Sequence, residues 1–212
     1  LAAKQQLALG LSDGSIHVID TLQKTEVKNI KAHQAAVFAI ATNPLQQQHY
    51  SADAAGNLLI WDDAWNLQLN LPLNCGKIRQ IKVSIDGAFL WLACADGHFI
   101  KLDATFFNEE QKVFAHQDGC TALCLLPNGE ILSAGKDAYI RRWSKTAAKL
   151  NAFPAHRGTI YQLILLEGGA YASASRDKSI KSWAQEDDQI IQKLDLQMAG
   201  HRHSINALTP YK

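Results

Sequence analysis

The chain has 212 residues, 47% apolar and 19% charged, with 21 basic against 20 acidic side chains and a formal net charge of +1. That length and apolar share suffice for a sizeable core. The charge balance excludes a general electrostatic pull toward nucleic acid or anionic membrane, and no apolar run is long enough to span a bilayer.

Residues 1–32 read as three short strands, LALGLSD, SIHVID and EVKNIKAH, with Asp13-Gly14 as a tight turn between the first two. Unit 33–73 holds four: AVFAIAT, HYSADA, NLLIWD and NLQLNLPLN. Unit 74–115 continues with IRQIKVS, FLWLACAD and HFIKLD, the last two joined at Asp96-Gly97. Unit 116–155 carries TALCLLP, EILSAGKD and YIRRWS, and unit 156–200 carries TIYQLIL, AYASASRD and SIKSWA. Residues 201–212 supply only a first strand. Alternating apolar residues and evenly spaced turn residues argue for an all-β array.

The units repeat. Ile19, Trp61, Leu102, Trp143 and Trp183 end the third strands at separations of 42, 41, 41 and 40 residues. His33, Asn74, His116, His156 and His201 keep a similar spacing, as do Asp13, Ala55, Asp96, Asp137 and Asp177. Three landmarks sharing one period make a repeat architecture. Pro44 and Pro127 fall where first strands end, Pro210 falls near the same place, and Pro72 and Pro154 fall at the ends of fourth strands. Proline cannot donate to a ladder, so these are the places it belongs.

One unit is longer. Trp183 to His201 is 18 residues, and the surplus lies within 185–200, around Glu186, Asp187 and Asp188. It is expected to project as a solvated hairpin loop, with a contact site as the alternative. The cysteines (Cys75, Cys94, Cys120 and Cys124) form no CxxC pair and read as small buried apolar residues. No metal site or cofactor is expected, and a cytoplasmic setting is the default.

These landmarks resemble the WD-repeat family, whose unit carries Gly-His near its start and Trp-Asp at the end of its third strand. Gly200-His201 and Trp61-Asp62 are full matches; Ala32-His33, Ala115-His116 and Ala155-His156 keep the His alone. The resemblance covers essentially the whole chain and implies a single β-propeller domain over 1–212, each unit a four-stranded antiparallel blade. About five blades are present, with 1–32 and 201–212 as partial ones. The leftover ends match a closed five-bladed ring. The start at Leu1 and the mid-blade beginning favour a piece of a seven-bladed one.

The resemblance also implies a hydrogen-bonded tetrad inside each blade. Two sets look complete: His116, Ser133, Asp137, Trp143 and His156, Ser173, Asp177, Trp183. The blade from His33 has Ser51 and Trp61 but Ala55 at the Asp position. The blade from Asn74 has Leu102 at the Trp position. Both are expected to rely more on packing. Carboxylates and imidazoles that recur with the period argue for structure, because an active site is normally built once.

By the same resemblance, two positions per blade face the channel. The first set is Phe38, Arg79, Thr121, Tyr161 and Asn206; the second is Ser12, Ala54, Ala95, Lys136 and Arg176. Aromatic and Arg side chains suit an interaction surface, and with no acid in either set the face is expected to be positive. The chain thus reads as a non-enzymatic scaffold. Its face, with Phe38, Arg79, Lys136, Tyr161 and Arg176 as contacts, would bind a protein or peptide that is acidic or phosphorylated. The alternatives are an enzyme or a nucleic-acid-binding propeller using that face. Against them stand the absence of nucleophile-elbow, phosphate-loop or dinucleotide motifs and of a basic stripe.

Overall fold

The computed structural model describes residues 5–195 and 201–209. Nineteen strands form one three-stranded and four four-stranded sheets, each an antiparallel meander in chain order. Blade 1 is β1 (Gln6–Gly10), β2 (Ser15–Asp20) and β3 (Thr25–Lys31). Blade 2 is β4 (Val37–Asn43), β5 (Gln48–Asp53), β6 (Asn57–Asp62) and β7 (Leu67–Pro72). Blade 3 is β8 (Ile78–Val83), β9 (Phe89–Cys94), β10 (His98–Asp103) and β11 (Glu109–Phe114). Blade 4 is β12 (Cys120–Leu125), β13 (Ile131–Gly135), β14 (Tyr139–Trp143) and β15 (Lys149–Pro154). Blade 5 is β16 (Ile160–Leu165), β17 (Tyr171–Ser175), β18 (Ile180–Trp183) and β19 (Ile190–Leu194), with a short 3-10 turn at Glu167–Gly169.

The core lies between successive blades. Tyr50, Leu58 and Ile60 of blade 2 meet Ile81, Leu90 and Leu102 of blade 3. Leu132 and Ile140 of blade 4 meet Leu163, Tyr171 and Trp183 of blade 5. The second strands of blades 2 to 5 are largely buried and their third strands partly so, while fourth strands are largely exposed, as expected when each sheet is covered on both faces near the axis and solvated at the rim. The chain is thus a run of propeller blades. Pro72 and Pro154 close β7 and β15, where no further ladder donor is needed.

The segment after His201 differs from expectation. Among the described residues, 201–209 joins no ladder and no hydrogen bond links it to β1. It nonetheless lies where a next first strand would lie. Ile205 N–H donates to Ser175 O at 3.1 Å, as Val37 N–H donates to Leu11 O at 3.0 Å. Gln162 clamps it, its amide donating to Leu208 O at 3.0 Å and accepting from Leu208 N–H at 2.8 Å. Gln80 accepts likewise from Leu123 N–H of the following blade at 2.6 Å. Pro210 lies outside the described residues.

The surplus of the last unit is not in its third turn. Trp183 pairs with Ile190 as Leu102 pairs with Glu109, so the β18–β19 turn is no longer than the β10–β11 turn. Nor does its acidic stretch simply project. Asp188 is 8% exposed and reaches back to blade 4. Its carboxylate binds the Arg142 guanidinium through Nη2 and through Nε at 3.2 Å. It also accepts from Tyr171 O–H at 2.7 Å and Asn151 Nδ2 at 2.9 Å. Burial opposes ionisation of Asp188, but these donors outweigh it and hold its pKa below the usual range. The residues beyond Asp195 on which the surplus falls lie outside the described residues up to His201.

Candidate functional site

The recurrent polar groups have the geometry of internal ties. In blade 4, His116 Nδ1–H donates to Asp137 at 2.9 Å, Ser133 O–H donates to His116 Nε2 at 2.8 Å, and Trp143 Nε1–H donates to Ser133 Oγ at 2.8 Å. Blade 5 repeats this with His156, Asp177, Ser173 and Trp183 at 3.0, 2.7 and 2.9 Å. Each imidazole is thereby fixed in one tautomer, and each buried donor is satisfied.

Blade 2 has a tetrad that its sequence register hides. Asp53, not residue 55, bonds His33 Nδ1 at 3.1 Å; Ser51 bonds Nε2 at 2.7 Å and accepts from Trp61 at 2.9 Å. The expectation that this blade relies on packing is corrected. The carboxylate comes from the end of β5 and also anchors the turn through Ala55 N–H and Asn57. Blade 3 has no such set: Leu92 and Leu102 fill the Ser and Trp positions and are fully buried.

Serine, histidine and aspartate at these distances match a nucleophilic triad in outline. The Ser hydroxyls cannot act as one. Ser51, Ser133 and Ser173 are all 0% exposed, and each is held between an imidazole and an indole. Burial pushes the pKa of His33, His116 and His156 down despite the adjacent carboxylates, so the rings are neutral in the fold.

A different feature marks the inner strands. Each of β4, β8, β12 and β16 breaks its ladder once, between Val37 and Ala39, Ile78 and Gln80, Cys120 and Ala122, and Ile160 and Gln162. The residues left out are Phe38, Arg79, Thr121 and Tyr161. A bulge turns its side chain out of the normal alternation, and all four line one cavity of about 380 Å³ with Ser204 and Asn206. So the five residues of the first expected set are brought together. Periodicity gives no sign of the bulges themselves, since one skipped residue leaves the apolar pattern of these strands readable.

The sequence reading also passed over Lys77. Its ammonium sits 3.9 Å from the centre of the Phe38 ring, with the Arg79 guanidinium 5.7 Å from the same ring. Burial first, and then the charges of Arg79 and Lys136, lower the pKa of Lys77. Arg79 Nε is buried without a hydrogen-bond partner among the described residues. Lys136 and Arg176 are exposed, and neither is among the residues lining the cavity. Ser12, Ala54 and Ala95 add no charge.

Four-stranded antiparallel blades, packed face to face and tied by His–Asp, His–Ser and Trp–Ser bonds, are β-propeller blades that resemble those of WD-repeat proteins. A family model described as "WD domain, G-beta repeat" matches residues 108–144, from the outer edge of blade 3 to the end of β14. Among curated proteins, Transcription initiation factor TFIID subunit 5 of Caenorhabditis elegans is 31% identical over 83 residues. That match covers 38% of this chain and 13% of the relative's length. The chain is thus similar to WD-repeat proteins, a kind that generally mediates protein–protein contact.

Proposed function

We propose that the chain is a non-enzymatic scaffold whose channel face binds a segment of another protein, and that the segment is acidic or phosphorylated. The observation that carries this reading is the convergence of four bulged residues on one cavity beside Lys77, Arg79 and Lys136. Three cations share this region, and among the described residues none of them pairs with a carboxylate. An incoming carboxylate or phosphate would relieve their mutual repulsion and satisfy Arg79 Nε. Phe38 and Tyr161 offer rigid apolar area beside that charge, at little ordering cost. The weak relationship to a subunit of a multiprotein transcription factor supports a partner that is a protein. A cytoplasmic setting stays part of the proposal.

The test is affinity capture with Arg79→Glu and Lys77→Glu combined, against the parent chain and Tyr161→Ala. Charge reversal is expected to abolish capture of partner proteins while the melting temperature holds. Unchanged capture by the double variant would overturn the face assignment. RNA or DNA capture with a steep salt dependence, lost in the same variant, would transfer the face to nucleic acid.

A further inference from the structure

Blade 3 lacks the tetrad, and the loop that enters it is turned the other way. In blades 2, 4 and 5 the histidine is buried and the next residue (Gln34, Gln117 or Arg157) is exposed. In blade 3 Asn74 is exposed and the next residue, Cys75, is fully buried. Asn74 makes this reversal with a left-handed φ of 48°, a conformation that Asn adopts more readily than most residues. Asp96 N–H holds the reversed loop, donating to Cys75 O at 3.2 Å.

Inside the blade Cys75 meets a second thiol. Cys94 ends β9 opposite Ile78, as Asp53 stands opposite Val37 in blade 2. Asp53 is the residue that ties the His33 loop to β5. The two sulfurs therefore occupy the same two places, loop and strand end, that an imidazole and a carboxylate occupy in blade 2. Both lie in the core between blades 2 and 3. The Cys94 S–H donates to the Cys75 sulfur, which outweighs burial and the Asp96 charge and lowers the Cys75 pKa. The same bond, and then burial, push Cys94 up. Cys75 is thus the better nucleophile and Cys94 the resolving thiol beside it.

We infer that Cys75 and Cys94 are a redox pair, closed to a disulfide by a hydroperoxide, and that the bond gives blade 3 the loop-to-strand tie it otherwise lacks. Cys75 lies directly beneath the surface, between exposed Asn74 and Gly76, so a small peroxide has only to lift the loop. The Cys75 thiolate attacks the peroxide O–O bond, which breaks. The departing hydroxide takes a proton as water, and Cys75 is left as a sulfenic acid. The Cys94 sulfur then attacks the Cys75 sulfur. The S–S bond forms, the S–O bond breaks, and the oxygen leaves as a second water with the Cys94 proton. Two electrons pass from the thiols to the peroxide. Where a thiol pool is present it reverses the bond, as in redox-sensing pairs. The pair is separate from the channel face and does not depend on the function proposed for it.

The experiment treats the folded chain with hydrogen peroxide at neutral pH, blocks remaining thiols with iodoacetamide, and maps tryptic peptides by mass spectrometry with and without dithiothreitol. A peptide pair joining Cys75 to Cys94 is expected, lighter by two hydrogens and released by dithiothreitol. Cys120→Ala is expected to keep it, and Cys94→Ala to lose it. In the oxidised chain the Ala95 and Asp96 amides, which donate to Lys77 O and Cys75 O, are expected to exchange with deuterium about tenfold or more slowly. The urea midpoint is expected to rise. The mapping is read on the parent chain, so it stands whether or not a variant folds. No bond between Cys75 and Cys94, a bond that forms only in urea, or pairing of Cys94 with Cys120 instead overturns the inference. So do exchange and a urea midpoint unchanged by oxidation, which would mean that the bond ties nothing.

Discussion

His33 Nδ1 lies 3.1 Å from Asp53 Oδ2, although Asp53 stands two residues ahead of the position from which Asp137 and Asp177 serve their histidines. The corresponding residue in blade 4 is Gly135, where an added Cβ would lie 2.5 Å from His116 Cγ. This backbone position runs directly beneath the imidazole. A carboxylate attached there reaches Nδ1 as well as one attached at the turn does. The same tie can therefore be made from either of two places in the repeat.

Asp53→Ala is expected to destabilise the chain by about 2–4 kcal/mol, since it leaves a buried imidazole N–H and the Asn57 donors without an acceptor. Asp53→Asn should cost less, because its amide oxygen still accepts. Ala55→Asp, at an exposed site, is expected to shift stability by no more than about 0.5 kcal/mol. Urea unfolding of the three variants measures all of this. Equal losses from the changes at 53 and 55 would show that the carboxylate at 53 is not the one that matters.

The blade repeat was legible because its landmarks sit in strands and turns that every blade must build. The two strands flanking the tight turn keep one length, so Trp61, Trp143 and Trp183 stay in register, and so do the imidazoles. Asp53 was not legible, because a fixed register points to Ala55 and cannot know that the backbone beside the ring offers a second attachment point. Asp188 was hidden for another reason. Three consecutive acids look solvated in one dimension, and only the neighbouring blade supplies Arg142. Lys77 escaped because it precedes the bulge by two residues, and no pattern announces that it will lie over Phe38.

The Arg142–Asp188 pair ties the β18–β19 turn to blade 4, with Asn151 and Tyr171 completing the shell. Removing Arg142 strands the Asp188 carboxylate in a largely buried place, and removing Asp188 leaves Arg142 with Glu130 alone, 2.7 Å away. Asp188→Ala is expected to cost about 3–5 kcal/mol, and Arg142→Met combined with Asp188→Leu much less than the sum of the single changes. A double-mutant cycle by chemical unfolding checks this. Additive losses would mean the two groups do not act as a pair.

Stability should fall in acid in two stages. Burial holds His33, His116 and His156 below their ordinary pKa of 6.5. As pH drops through 6.5 the unfolded chain takes up protons that the folded rings refuse, so each contributes a loss of up to about 1.4 kcal/mol per pH unit. Asp53, Asp137 and Asp177 act lower down. Burial opposes their ionisation, but hydrogen bonds and the neighbouring His groups outweigh it, leaving each below the ordinary 3.8. Their stabilisation is complete above that value and is lost as pH falls beneath it. Urea midpoints measured from pH 8 down to about pH 4 should decline most steeply below 6.5. A flat profile between pH 7 and pH 5 would mean that the imidazoles are protonated in the fold.

Two glycine replacements separate steric need from chain entropy. Neither Gly135 nor Gly158 has a positive φ, so alanine at either restricts the unfolded chain equally. Their surroundings differ. A Cβ on Gly135 would meet Cγ, Cβ and Nδ1 of His116 at 2.5–2.6 Å, whereas on Gly158 its nearest neighbour is Arg176 Cβ at 3.4 Å. Gly135→Ala must push the imidazole off Asp137 and Ser133, and is expected to lose about 2–4 kcal/mol from overpacking and broken hydrogen bonds together. Gly158→Ala should be neutral or stabilising by up to about 1 kcal/mol. Near-UV circular dichroism should register a displaced Trp143 in the first variant and no change in the second. Similar stability in the two would indicate that the His116 ring is not packed against that backbone.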